Sequence, residues 1–308
     1  MPEIFVPENL PIRFILSKAA GGQRAFRLER RISKFLSGTG REFFFYRVEA
    51  PGQAASIARR LAAESRGPVV AVGGDGTVNE VINGIYGSGV TLGILPMGSG
   101  NGLAASLEIP RRLKAAVRVI AAGRVRRIDL ARIKTGDRES YFAATLGMGM
   151  DPLIAGQVCS FRTAIRGPWL YFLAGLRAYF LFTSRYRQVR LEGELDGRLL
   201  RQTCLLACVA NVPQYGAGAR IAPAARVDDG RLDLVLLPNA GFRRSFAYSL
   251  ALFTGRLDRQ AGVETQRFRR LLFRELAPDF LQADGDPLKL PLPFSVEVVP
   301  AALPVFSG

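Results

Sequence analysis

Short apolar runs alternate with amphipathic stretches through the first 120 or so residues. Ile12 to Leu16, Phe43 to Val48, Val69 to Val72 and Val90 to Leu95 have the length and the β-branched or aromatic density of buried strands. Between them, the basic stretch after the glycines of SKAAGGQRAFRLERRISKFL, Gly52 to Glu64, and Val78, Val81, Ile82 and Ile85 at helical spacing predict helices. Leu103 to Leu107 and the run KAAVRVIAAG continue the alternation. Such a pattern predicts an α/β domain with a doubly wound parallel sheet, whose ligands bind beyond the carboxyl ends of the strands.

The pattern changes near Arg127. RRIDLARIKTGDRESYFAATLGMGMD reads as alternating strands with a turn at Thr135 to Arg138. Val189 to Glu194, Cys204 to Asn211, Leu232 to Leu237 and Phe294 to Val299 are further strand candidates, so this part is expected to be an antiparallel β-sandwich. An aromatic-rich helix, RGPWLYFLAGLRAYFLFTS, interrupts it from Arg166. The expected division is residues 1–127 as the α/β domain and 128–300 as the β domain, with the apolar tail 301–308 returning to the first.

Candidate chemistry gathers where strands end in glycine. In VVAVGGDGTVNEVING the strand must stop before the helix opens. Gly73, Gly74 and Gly76 permit a sharp turn that exposes backbone N–H groups, an arrangement suited to phosphate. Asp75 among those donors would repel a phosphate unless a magnesium ion lay between them, and Thr77, Asn79 and Glu80 are the next polar groups within reach. The alternative is an ordinary strand-to-helix turn capped by Asp75. A second such turn, PMGSGNGLA, offers Gly98, Ser99, Gly100 and Asn101 at the same predicted sheet edge. Near the carboxyl end, LQADGDPL sets Asp284 on a tight glycine turn with Asp286 two residues on. That is suitable material for a base that takes a proton from an alcohol.

Composition narrows the chemistry. Among 308 residues, 42 basic side chains face 26 acidic ones, leaving a net +16 that calls for an anionic partner. There is no histidine, which excludes Ser-His and Cys-His catalysis, and the three cysteines read as reduced core thiols. The longest apolar stretch, Trp169 to Phe182, is broken by Arg177 and is shorter than the roughly 20 residues a spanning helix needs. With no signal-peptide pattern at the N-terminus, a cytoplasmic protein that touches membranes peripherally is expected.

GGDGTVNEVING closely resembles the signature of the diacylglycerol kinase catalytic-domain family, which includes sphingosine, ceramide and bacterial lipid kinases. Simpler GGDGT strings occur in NAD kinases; the Asn79-Glu80 pair favours the lipid kinases. PMGSGNGLA resembles the family's second glycine box, RRIDL and the GMGMD stretch its entry into the β domain, DDGRLD its metal-loop segment, and DGD its D-G-E motif. The resemblance implies an ATP-dependent lipid kinase with ATP held by Ser17, the residues of GGDGT, Asn79, Glu80 and Gly98 to Asn101. It implies catalytic magnesium at Asp75 and Asp129, a structural magnesium held largely by loop main-chain oxygens at Arg226, Asp229 and Arg231, and Asp284 as general base with Asp286 where glutamate is usual. Asp228 and Asp229 are also compatible with a plain β-turn.

The implied partners are a lipid substrate and an anionic membrane surface; the aromatic helix either packs the β domain against the rest or, through Trp169, Tyr171, Phe172 and Phe180, forms the lipid's entrance. Arg162, Arg166, Arg177, Arg185 and Arg187 flank that helix. Nucleic acid is not expected, and a homodimer remains an open option. Ser17 and Lys18 replace the family's Asn-Pro, and Val48, Gln53 and Gly102 also depart from its pattern. An NAD or other small-molecule kinase, or an inactive lipid binder on the same fold, are the rival readings.

Overall fold

The computed structural model describes residues 4–5, 10–17, 23–160, 168–215 and 218–308; the side chains at 4–5, 23–24, 158–160 and 168–171 lie outside that description. The chain forms two compact units, Met1–Ile128 with Ala301–Gly308, and Asp129–Pro300.

The first unit contains β1 (Ile4–Phe5), β2 (Ile12–Leu16), α1 (Gln23–Leu36), β3 (Phe43–Arg47), α2 (Gln53–Glu64), β4 (Val69–Gly73), α3 (Asp75–Ile85), β5 (Leu92–Pro96), α4 (Gly102–Ser106) and α5 (Leu113–Ala122). Four strands lie parallel in the order β3-β2-β4-β5. The order reverses between β2 and β4, so the switch point of the doubly wound sheet lies beside the GGDG turn. Every residue of β2, β4 and β5 is buried, which is why these strands read as continuous apolar runs rather than alternating ones. Helix α3 crosses α2 closely at Gly84, where a Cβ would lie 2.5 Å from the Ala55 carbonyl oxygen. The chain's tail belongs to this unit: Val305 pairs with Leu92 in parallel, and the Gly308 N–H donates to the Leu107 carbonyl.

The chain passes between the units through β6 (Arg124–Thr135) and β17 (Phe294–Phe306). The second unit contains β7 (Arg138–Phe142), β8 (Thr145–Gly149), α6 (Asp151–Ser160), α7 (Pro168–Arg185), β9 (Val189–Leu195), β10 (Arg198–Cys204), β11 (Leu206–Ala210), β12 (Leu232–Leu237), α8 (Phe242–Thr254), β13 (Glu264–Phe268), β14 (Arg270–Ala277), β15 (Leu281–Ala283) and β16 (Asp286–Leu288). One antiparallel sheet runs β13-β12-β11-β8-β15-β16; the other joins β10, β9, β14 and the first part of β17. Their buried residues, among them Phe142, Phe268, Phe273 and Phe294, form one core.

Two strand expectations are corrected here. The Cys204–Asn211 run is not one strand: β10 ends at Cys204, the Leu205 N–H donates to Leu237, and β11 continues in the other sheet. Both sides of that corner are buried, so the apolar pattern runs straight through it. The Phe294–Val299 strand extends to Phe306 because its last residues pass into the first unit's sheet.

Candidate active site

The two glycine turns meet at the carboxyl edge of the parallel sheet. The Ser17 N–H donates to Val72 and the Met97 N–H to Gly73, which aligns the ends of β2, β4 and β5. A Cβ on Gly98 would lie 2.6 Å from the Gly74 Cα, and one on Gly74 would lie 3.3 Å from the Gly98 Cα. These turns touch backbone to backbone, and no larger residue at position 98 preserves that approach. Beside them, the first turn of α3 leaves N–H groups, including those of Gly76 and Thr77, without helix-internal acceptors. Thr77 folds back over Gly73, where a Cβ would meet its hydroxyl at 2.6 Å.

Asp75 ties the turns together. Its carboxylate accepts the Asn101 N–H at 2.7 Å and the Gly102 N–H at 2.9 Å, so it caps the start of α4 from a neighbouring turn. Asn101 adopts φ 59° and closes its own turn, its side-chain oxygen accepting the Gly98 N–H at 3.0 Å. The first amides of α4 are therefore held by Asp75. Arg111, a residue to which the sequence reading gave no role, places its guanidinium on this loop by donating to the carbonyls of Gly98 and Ser99.

Asn79 and Glu80 have other partners. The Glu80 carboxylate accepts the N–H groups of Gly52 and Ala54, both at 3.0 Å, and so caps α2. Asn79 accepts from the Asn83 amide at 3.0 Å, one helical turn on. These bonds give the Asn-Glu pair a structural part, Glu80 in joining α2 to α3 and Asn79 within α3.

In the second unit, Asp284 and Gly285 form the two-residue hairpin between β15 and β16, with φ 50° and 92°. Positive φ at both positions is what an Asp-Gly pair tolerates best. The buried Asp284 carboxylate accepts three backbone N–H groups, from Ala143 at 3.1 Å, Ala144 at 3.0 Å and Thr145 at 2.8 Å. Asp286 begins β16 and is exposed.

Asp129 is buried and accepts the Gly230 N–H at 2.6 Å, which fastens it to the DDG turn. Asp229 on that turn accepts from the Arg267 guanidinium and from the Arg231 N–H, and Arg226 pairs with Asp228 at 3.4 Å. Guanidinium groups pair with both carboxylates of this loop, so a structural magnesium at residues 226, 229 and 231 would rest on main-chain oxygens. Among the described residues, no group of three or more His, Cys, Asp or Glu side chains is arranged to hold a metal ion. Asp75 is a carboxylate beside the glycine turns, the hard oxygen donor that a nucleotide-borne magnesium takes.

Helices α7 and α8 pack an aromatic cluster. The Phe172 and Phe246 rings meet edge-on at 5.4 Å, and Phe180 stacks on Phe242 at 5.4 Å. Phe180, Leu181, Phe242, Phe246 and Leu250 are nevertheless largely exposed. The expected roles of Lys18, Arg162 and Arg166, and of the Trp169 and Tyr171 side chains, lie outside the described residues. Among the described residues, no helix is long and apolar enough to cross a membrane.

Comparison with known proteins agrees with these motifs. Residues 11–133 match the diacylglycerol kinase catalytic domain, and residues 144–307 match the YegS C-terminal NAD kinase beta sandwich-like domain. A diacylglycerol kinase of Mycobacterium tuberculosis (strain ATCC 25618 / H37Rv) is 31% identical over 265 residues, 84% of this chain and 84% of that protein. One from Staphylococcus saprophyticus is 28% identical over 207 residues, 67% of this chain and 65% of that protein. In fold, the chain is similar to the crystal structure of a diacylglycerol kinase from Bacillus anthracis str. Sterne, with TM-score 0.75, 20% identity, and 97% of each chain covered. The chain belongs to the diacylglycerol kinase family, a family of lipid kinases.

Proposed function

We propose that this protein transfers the γ-phosphoryl group of ATP to the hydroxyl of a membrane lipid. The observation that carries the nucleotide half is the backbone contact of Gly74 with Gly98, which sets two loops of N–H donors side by side at the switch point. Gly73, Gly74, Gly76, Thr77, Gly98, Ser99 and Gly100 would cradle the phosphates, and Ser17 stands at the end of the neighbouring strand. Magnesium bound with the nucleotide, with Asp75 and Asp129 as candidate ligands, neutralises phosphate charge in reactions of this class.

Asp284 would accept the proton of the lipid hydroxyl as that oxygen attacks phosphorus. The three N–H groups fix its carboxylate, so the base is held in place before substrate arrives. Asp286, on the adjoining strand, adds a second negative charge near that hydroxyl. The exposed aromatic face of α7 and α8, with Arg177, Arg185, Arg243 and Arg244 on the same helices, suits an anionic membrane surface that delivers the lipid.

The test is incubation of the full chain with γ-labelled ATP, magnesium and a panel of lipids in anionic micelles, followed by organic extraction. Label is expected in one lipid class and absent with Asp284→Asn, which should still bind ATP. Label confined to the aqueous phase would favour a soluble acceptor. Normal turnover by Asp284→Asn would remove the base assignment.

A further inference from the structure

A buried polar cluster lies beneath the Asp284 hairpin, and the mechanism above does not use it. Gly147 on β8 pairs in register with Cys208 on β11 and with Gln282 on β15. A Cβ on Gly147 would fall 1.5 Å from Asp151 Oδ2 and 2.7 Å from Gln282 Nε2, so the absent side chain is the space the Asp151 carboxylate fills. Asp151 opens α6 and is buried. Gln282 donates through Nε2 to Asp151 Oδ2 at 2.7 Å, and its Oε1 accepts the Gly285 N–H at 2.6 Å. Gly285 is the second residue of the turn that carries Asp284.

We propose that Asp151 is a positioning residue which, through Gln282, locks the Asp284-Gly285 turn in the geometry from which Asp284 acts. This deepens the assignment of Asp284 as base and rests on it.

The chemistry of the amide makes the lock directional. Gln282 has one donating end and one accepting end, an ionised carboxylate only accepts, and a backbone N–H only donates. With Asp151 ionised, a single amide orientation satisfies both neighbours. A protonated Asp151 can turn an O–H toward Gln282, and the flipped amide that accepts it would set the Gln282 NH2 against the Gly285 N–H, donor facing donor. Burial pushes the Asp151 carboxyl up to about 6, which places the change inside an ordinary pH profile. The groups facing Asp151 are Gln282 from β15, the Tyr215 hydroxyl, and the Cys208 thiol from β11; Asp284 lies within electrostatic reach of Cys208. Burial is the largest influence raising both the Cys208 thiol and the Tyr215 hydroxyl, so they stay neutral, and none of the four is a cation.

The experiment measures kcat and KM from about pH 5 to 9 on the full chain, with the lipid that accepts label, together with thermal melts. Gln282→Met keeps the volume and removes both bonds; it should lower kcat about tenfold or more while KM for ATP stays within about twofold. Asp151→Asn keeps an oxygen to accept from Gln282 and does not titrate. Its NH2 can turn toward Gln282 as the protonated acid's O–H does, so kcat at pH 8 should fall and the acid limb centred near pH 6 should be absent. A purely structural role would lower Tm and leave the pH profile as it was. Wild-type kcat in Gln282→Met, or an acid limb near pH 6 that persists in Asp151→Asn, would overturn the proposal. If Asp284→Asn is inactive while Gln282→Met is fully active, the lock alone fails; if Asp284→Asn turns over normally, the base assignment fails first.

Discussion

Asp75→Asn separates two jobs that one carboxylate can hold. The side chain accepts two backbone N–H groups at 2.7 and 2.9 Å, and hydrogen bonds to a charged acceptor contribute about 1.5–3 kcal/mol each. An asparagine offers one oxygen to one N–H and turns its NH2 toward the other. One charged bond is lost, the second becomes neutral, and the half-buried site regains some water, so the net cost is about 2–3 kcal/mol. A loss of that size lowers Tm by roughly 4–12 °C in a domain of 150–250 residues. Differential scanning calorimetry checks this scaffold role directly. Titration calorimetry with ATP, with and without magnesium, then checks the metal role. If Asp75 also touches magnesium, affinity falls further when magnesium is present; if it serves α4 alone, the loss is the same in both. An unchanged Tm would refute the capping argument, and equal losses with and without magnesium would refute the metal contact.

The other predictions rest on close approach and on burial. In Gly98→Ala the new Cβ would sit 2.6 Å from the Gly74 Cα and 3.0 Å from Asn101 Oδ1, so a loop backbone must shift. Overpacking of this kind costs about 1–3 kcal/mol, and ATP affinity should fall about tenfold or more; affinity equal to the parent's would mean the loops need not touch. Asp233 is raised from 3.8 to about 6, chiefly by burial, with Asp229 raising it further and Arg267 opposing. A raised carboxyl favours folding below the unfolded value and loses that contribution as pH climbs through about 6. Asp233→Asn should therefore stabilise the protein at pH 8, by up to about 3 kcal/mol, and do little at pH 4. Urea unfolding at both pH values decides it, and equal shifts at the two would refute the linkage.

Most of the first unit was legible because parallel strands covered on both faces leave unbroken apolar runs, and Gly73, Gly74 and Gly98 end two of them abruptly. Asp284 was legible for a similar reason: an Asp-Gly pair between short strands specifies a two-residue hairpin. What was hidden involves partners distant in sequence. Glu80 reads as a ligand residue in a linear motif, yet its acceptor role is fulfilled 26 and 28 residues away, at Ala54 and Gly52. The bond from Gln282 to Asp151 spans 131 residues, and its signal, a glycine two places before the next one in GMGMD, gains meaning when β8 is seen between β11 and β15. Helix α8 escaped because its buried positions, Ser245, Tyr248 and Ala251, are small or polar, so its apolar residues, Phe242, Phe246 and Leu250, mark the exposed face instead.

One device recurs in both units: a carboxylate beside a glycine turn is held by convergent backbone N–H groups. In the first unit a carboxylate is bonded to the opening amides of α4; in the second, three consecutive amides hold Asp284. A phosphate and a carboxylate ask the same thing of a backbone, namely convergent N–H groups with no side chain in the way. Loops able to receive a nucleotide's phosphates are thus also able to bind the protein's own acids, and a chain that carries such loops must decide which amides each anion takes. Here Asp75 takes those of α4, and in the proposed function the α3 turn and the 98–100 loop are the amides for the nucleotide. Moving the acid by one position would set carboxylate and phosphate in competition for the same amides. The spacing of Asp75 from Gly73 and Gly74 is accordingly as much a part of the proposed phosphate site as the glycines themselves.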